Sequence, residues 1–553
     1  MKSGTSLFGS GSSDSSAHRI GSDLIKEVGK VADVRWRSYG TGASLCLLNL
    51  VLAWDTTMPP IALPTIATSI GASALECFWL GLSSLVVATC FLPLFSTLSD
   101  VFGRKAMILL ALTFFAIGSF IAAVSGKITG LLLARCIQGG GAGGLYLLPS
   151  LIVSDLESPK ERRNWSAILG AAWAVGAITG PVFGGALTNN GQWRWIFWLP
   201  LPLLALPLAF LAFFAKLRPA STGPVLQRLR DIDWIGLILL GGSLISTLYG
   251  FTQAGPLQPW QSFRTILPVL LGLLGLLVFL IWSWYMSIPS YISLEGLLDR
   301  TKLATYFCVG IQGMIGFAIL YLVPLYLTIS YSHIDLTHIG GLLCSWSVPL
   351  AVLALLSYTT AASSTVHRPM TYFGWFLTIL GIALKIILKR ESPKIMWICI
   401  AIFSGMGMGI LYPTLSAFAL TPQRRDDAAA IRNFIFFQTL GQTLGVGVVC
   451  TVFVNTLHRR ISGIETLKED AWAYARDAYA LVNRVRDLPA EQEAVRIHVV
   501  DAYVGSIRVV WIVLTALAGV ALVTSFLLKR LGIRGVDEEE IGKAGGGLPE
   551  LQS

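Results

Sequence analysis

Apolar residues in this chain come in repeated runs of about twenty, each long enough as a helix to cross a hydrocarbon core of roughly 30 Å. Nothing else in the sequence restricts its fold so strongly. Of its 553 residues 54% are hydrophobic and 13% are charged, where a soluble protein of ordinary composition is charged at about a quarter of its positions. The class that follows is all-α integral membrane. The net charge of +10 is placed by lysines and arginines at span ends, which excludes any need for nucleic acid. Seven of the eight cysteines lie inside apolar runs and no CxxC pair occurs, so neither a zinc site nor a disulfide framework is expected.

The runs fall near 39–66, 78–98, 106–125, 129–150, 165–188, 194–214, 233–253, 265–287, 303–328, 338–360, 370–389, 395–418, 427–455 and 507–529. Residues 1–38 are rich in Ser and Gly and read as a disordered cytosolic tail, with no cleavable signal ahead of the first span. Arg104 and Lys105, then Lys160, Arg162 and Arg163, then Lys216, Arg218, Arg228 and Arg230 occupy every second loop. Arg300, Lys302, Arg368, Arg424 and Arg425 continue that alternation. The basic side is cytosolic, so both termini are inside. Lys389, Arg390 and Lys394 break the pattern locally.

About fourteen spans with both ends inside divide into two bundles of six with an inserted pair. The expected units are 39–214, a linker over 215–302 carrying two extra helices, and 303–529, with a helical extracellular cap over 456–506 and a cytosolic tail over 530–553.

One stretch, Gly130 to Leu187, carries residues that lipid alone would not tolerate. Arg135 and Gln138 lie among leucines and glycines, and a cation inside a span is kept because something pairs with it or moves past it. Asp55 is the acid placed well inside an apolar run. It lies roughly 24 Å along the first span from Tyr39, and Arg135 lies roughly 8 Å below the outer surface on the fourth, so the two reach similar depth. Desolvation favours the neutral acid and a neighbouring cation favours the carboxylate, so relative motion of Asp55 and Arg135 would bind or release a proton. Two plainer roles compete: a static ion pair locking two helices, and an aspartate capping a helix broken at Pro59-Pro60.

On the fifth span Gly176, Gly180, Pro181, Gly184 and Gly185 share one side, where two backbones can approach closely and the proline bends the helix. Gly139–Gly144 lacks the strand before it and the Gly-Lys-Ser ending that a nucleotide-binding loop needs. His333 and His338 read as solvated rather than as metal ligands. Tyr146, Trp173, Gln312 and Gln438, with Gln138, are the candidate walls of a central cavity, although helix-to-helix hydrogen bonds explain Gln312 and Gln438 equally well and packing is the leading role for Tyr146 and Trp173.

Several of these stretches resemble motifs of the major facilitator superfamily. Ser96-Thr97-Leu98-Ser99-Asp100-Val101-Phe102-Gly103-Arg104-Lys105 is similar to its signature between the second and third spans, with Ser96 where the family usually has Gly. Leu132–Gly144 resembles its fourth-span motif, and Gly176–Leu187 the fifth-span motif of its antiporters. Trp54-Asp55-Thr56-Thr57 with Ala62-Leu63-Pro64, and Trp193-Arg194-Trp195-Ile196-Phe197, resemble the fourteen-span drug:proton antiporters, the group of fungal-type multidrug and toxin efflux transporters. Pro59-Pro60 departs from that pattern.

The resemblance implies that Asp100, Gly103, Arg104 and Lys105 form a cytosolic gating network. It also implies that the fifth-span glycines make a tight seam favouring export, and that Arg135 supports proton transfer with Asp55. The function expected is a non-enzymatic, proton-coupled exporter of lipophilic or amphipathic small molecules at the plasma membrane. It would work as a monomer in the bilayer, with the proton gradient in place of any cofactor and with no metal. A carrier of basic amino acids or iron chelates in a vacuolar membrane, and a transporter-like sensor that moves nothing, are the alternatives.

Overall fold

The computed structural model describes residues 36–529 apart from 157, 220–228, 231, 256–257, 286–298, 332–333, 361–365, 420–426, 465–466, 469–470, 480–481 and 483–492. Twelve helices among the described residues are long and apolar enough to cross a bilayer, and thirteen if the first, bent pair is taken as one span. That pair is α1 (36–57) and α2 (Pro59–Ile70), which meet at 48°. The bend has a local cause: prolines at the first two positions of α2 cannot donate to the preceding turn. Asp55 does not cap α2, whose N-cap is Met58 with no side-chain bond.

The first half continues with α3 (Ala74–Phe102), α4 (Arg104–Val124), α5 (Ile128–Ser154) and α6 (Pro159–Asn189). Its sixth span is split by Pro200 into α7 (Trp195–Trp198) and α8 (Pro200–Phe213). A capping box of Ser73 and Glu76 starts α3, and Gly103, at φ +86°, joins α3 directly to α4. That conformation is one that a residue with a Cβ rarely adopts, so the tight connection needs glycine.

The inserted pair is α9 (Trp234–Gln253) and α10 (Phe263–Tyr285). It is anchored at the junction of the halves: Trp79 Nε1 of α3 donates to Thr252 Oγ1 at 3.2 Å, and Asn455 Nδ2 donates to the Ala254 carbonyl at 2.9 Å. The outer helix α10 leaves Leu270, Leu274, Leu277 and Ile281 exposed, as a lipid-facing helix should.

The second half comprises α11 (Arg300–Ser330), α12 (Leu336–Thr360), α13 (His367–Lys385), α14 (Lys394–Ala419), α15 (Asp427–Ile461), the short α16 (Ala471–Arg476) and α17 (Glu493–Ser525). The eleventh expected span is present as α13 but is not among the helices apolar enough to cross a bilayer; it carries His367, Arg368 and Lys385. The 386–393 turn that broke the charge alternation is stitched to the end of α11 remote from Arg300. Tyr326 and Tyr331 donate to the carbonyls of Lys389 and Ser392 at 3.2 and 2.7 Å.

The expected 456–506 loop is shorter than its range. Helix α15 runs on to Ile461 and α17 begins at Glu493, because Val499, Val500, Tyr503 and Val504 repeat at helical spacing and are buried. Between α15 and α17, residues 462–464, 467–468, 471–479 and 482 lie within the described residues. Ala471, Ala475, Ala478 and Tyr479 there are buried rather than facing water. Residues 36–38, expected in the N-terminal tail, are the first turn of α1; the rest of the two tails, Arg228, Arg424, Arg425 and His333 lie outside the described residues.

Candidate functional site

The glycine run that superficially suggested a phosphate loop is the middle of α5, wedged between two neighbours. A Cβ at Gly139 would lie 2.8 Å from Ser84 Cα, one at Gly143 2.5 Å from the Ala88 carbonyl oxygen, and one at Gly141 2.9 Å from Phe115 Cα. This close approach to α3 and α4 offsets the poor helix propensity of glycine. It also holds the polar residues one turn earlier in fixed positions.

Those residues form a compact buried triad. Arg135 Nη1 lies 2.5 Å from Asp55 Oδ1 and donates to Gln138 Oε1 at 2.7 Å, while Gln138 Nε2 donates to the same Asp55 oxygen at 2.9 Å. Arg135 Nε donates to the Leu80 carbonyl at 3.1 Å, and its guanidinium lies 5.9 Å from the Phe197 ring. Asp55, Arg135 and Gln138 are 5%, 4% and 0% exposed. Two buried charges this close neutralise each other, and each is strongly disfavoured without its partner. Gln138 therefore belongs to the ion pair and not to the cavity wall expected of it. Its amide has the length to bridge Asp55 and Arg135.

The fifth-span glycines divide between two neighbours. A Cβ at Gly176 would lie 2.6 Å from Ala53 Cβ, one at Gly180 3.2 Å from Thr57 Cβ, and one at Gly184 3.0 Å from Met58 Cα, so these three fit α6 to α1. Trp54 Nε1 donates to Thr179 Oγ1 at 2.8 Å along the same contact. Gly185 faces the other way, where a Cβ would lie 3.0 Å from Thr337 Cα, and Pro181 packs against Gly340 of α12. Helix α6 is thus clamped to the acid-bearing helix on one side and to the second half on the other.

At the junction of α3 and α4 Arg104 is almost fully buried. It pairs with Asp100 at 3.0 Å and with Asp155 at 3.1 Å, and it donates to Ser99 Oγ. Arg218 reaches Asp155 at 3.4 Å, and Lys105 Nζ donates to the Ala215 carbonyl at 3.2 Å. These bonds join α3, α4, α5 and the strand-free segment after α8, all within the first half. Asp155 and Ser99 were not singled out from the sequence; an acid ending the fourth span, on the same face as Arg104, was the available signal.

A cavity of about 570 Å³ lies between the halves. Tyr146 and Trp173 line it from the first half, and Gln312 and Gln438 from the second, together with Trp346 and Tyr412. It reaches Arg162 and Arg163 in the first turns of α6. Asn49, also in its wall, precedes Asp55 by six residues, roughly 9 Å along α1. Tyr146 of α5 and Tyr321 of α11 both lie within electrostatic reach of Asp55 and Arg135. Phe78, Tyr321, Phe453, Tyr479 and Tyr503 form a buried aromatic plug.

His338 is exposed, and among the described residues no group of three or more His, Cys, Asp or Glu is arranged to hold a metal. A buried lysine also escaped the sequence reading. Lys385, 1% exposed at the end of α13, donates to Ser404 Oγ at 2.7 Å and sits 5.7 and 5.4 Å from the rings of Trp397 and Trp511.

The sequence profile described as Major Facilitator Superfamily matches residues 45–446. The chain is 34% identical over 494 residues to MFS transporter L2 of a Phoma species, covering 89% of this chain and 82% of that protein. It is 27% identical over 508 residues to efflux pump FUS6 of Gibberella moniliformis, covering 90% and 89%. Among solved structures it resembles a bacterial homologue of the human lysosomal transporter Spinster, in an inward-facing and unoccupied conformation. The TM-score is 0.57 at 14% identity, with 89% of this chain and 98% of that one covered, a likeness of fold alone.

Proposed function

Because this chain belongs to the major facilitator superfamily of membrane transporters, and is a carrier rather than an enzyme, we propose that it exports amphipathic small molecules in exchange for protons. The observation that carries this reading is the buried Asp55–Arg135 pair one and a half turns from the wall of a cavity between the halves. Proton uptake by Asp55 would remove its charge and its hold on Arg135, leaving the guanidinium with Gln138, the Leu80 carbonyl and the Phe197 ring. Helix α1 would then part from α5 while staying fitted to the glycines of α6, and α6 would carry that motion to the seam with α12. Rocking of the two halves about the cavity gives alternating access. Similarity to an efflux pump supports the outward direction. We place the protein in the plasma membrane, acting as a monomer and using the proton gradient alone.

Sealed vesicles containing the purified protein under an imposed pH gradient provide the test. Lipophilic cations, neutral toxins and basic amino acids are added in turn, to wild type and to Asp55→Asn. A compound that releases the gradient only when Asp55 is intact supports exchange. Equal release by Asp55→Asn would overturn it.

A further inference from the structure

The cavity wall has a charge and hydrogen-bonding character that narrows what it can hold, and this inference rests on the export reading above. Among the described residues lining the cavity there is no aspartate or glutamate, whereas Arg162 and Arg163 stand at its mouth. The nearest buried carboxylate, Asp55, is neutralised at 2.5 Å by Arg135 and also accepts from Gln138. An organic cation entering here would lose hydration, meet two like charges on the way and find no counterion at the end. An acid would be drawn to the mouth, and a neutral molecule would be unaffected by it.

The wall also holds polar groups that lack partners. Gln312 Oε1 and Gln442 Oε1 are buried acceptors without a donor, and Trp346 Nε1 is a buried donor without an acceptor. All three residues line the second-half wall. Unpaired buried groups are costly, and sites that contain them favour ligands that complete them. The two acceptors call for hydroxyl or N–H groups and the indole for a carbonyl or other acceptor oxygen. Tyr146, Trp173, Phe317, Tyr412 and Phe434 supply the apolar and aromatic remainder. A volume of about 570 Å³ accommodates a drug-sized molecule.

We infer that this cavity selects uncharged or acidic amphipathic molecules bearing hydroxyl and carbonyl groups, and rejects organic cations. The test uses full-length protein in inside-out vesicles at clamped membrane potential. Uptake is measured for three probes built on one ring system: a naphthalenesulfonate, a hydroxynaphthamide and a naphthyl-trimethylammonium. The expected result is uptake of the sulfonate or the amide at least about tenfold faster than the ammonium, a discrimination of about 1.4 kcal/mol. Gln438→Glu, which puts a carboxylate in the wall, should move that ratio toward the ammonium. Ammonium uptake equal to or above the others would overturn the inference and leave export standing. Uptake of none of the three would count against export of amphipathic molecules itself.

Discussion

Pro181 and Gly340 meet backbone against backbone across the boundary between the two halves, and a Cβ on Gly340 would lie 2.7 Å from the Pro181 carbonyl carbon. No side chain fits there in this packing. Gly340→Val should therefore pry the α6–α12 seam apart. Overpacking of this kind costs about 1–3 kcal/mol, enough to shift a two-state equilibrium by roughly 5- to 150-fold. The expected outcome is greater labelling of a cysteine placed in the outer plug, with slower transport. Unchanged labelling would mean that the seam does not hold the outer side shut.

The cytosolic network should respond unequally to loss of its two acids. Asp100 is 59% exposed in its side chain and Asp155 is 22% exposed, while their shared partner Arg104 is 2% exposed. Exposed pairs contribute about 0–1 kcal/mol, whereas partners of a buried charge contribute more. Asp155→Asn should lower the melting temperature in detergent clearly more than Asp100→Asn does. Arg104→Ala, which leaves both acids without their common partner, should lower it most.

The outer plug is pinned by the Tyr503 hydroxyl, which donates to the Ala478 carbonyl at 2.6 Å. Tyr503→Phe removes that bond and leaves a buried carbonyl short of a partner, a loss of about 1–3 kcal/mol. Residues 471–479 should then exchange their amide hydrogens faster, with little change in the inner half of the protein. Uniform protection in wild type and variant would show that packing of Tyr479 on Phe78 suffices.

Lys385 makes a separate prediction, away from the cavity. Its Nζ donates to Ser404 Oγ and lies against two indoles, the hydrogen bond contributing about 0.5–1.5 kcal/mol. Lys385→Ala should lower thermal stability without altering the proton dependence of transport. A changed proton dependence would instead place Lys385 in the coupling pathway.

Much of this architecture was legible because lipid imposes a strong rule on helix length and composition, which residues such as Leu270 and Leu277 obey one by one. Asp55 and Arg135 were legible for the converse reason: a charge in an apolar run needs a partner, and helix rise alone brought these two to one depth. What remained hidden depended on which face of a helix meets which neighbour. Gln138 was one turn from Arg135 either way, and only the packing of α5 turned it toward Asp55 rather than toward the cavity. Lys385 was hidden because a lysine near a span end normally snorkels to water, and the Trp397–Trp511 cage that holds it is assembled from distant helices. Helices α15 and α17 outran their apolar cores because packing against the plug, not lipid, stabilises their outer turns.

Proton coupling through Asp55 is tested most directly by comparing two modes of transport in the same vesicles. One is accumulation of a transported compound against its gradient, driven by an imposed pH difference. The other is exchange of labelled for unlabelled compound at equal pH, which needs the moving halves but no net proton. Asp55→Asn should abolish the first and retain the second, since the amide can still accept from Arg135 but cannot exchange a proton. Accumulation at the wild-type rate in Asp55→Asn would contradict the mechanism and leave the Asp55–Arg135 pair as a static tie between α1 and α5.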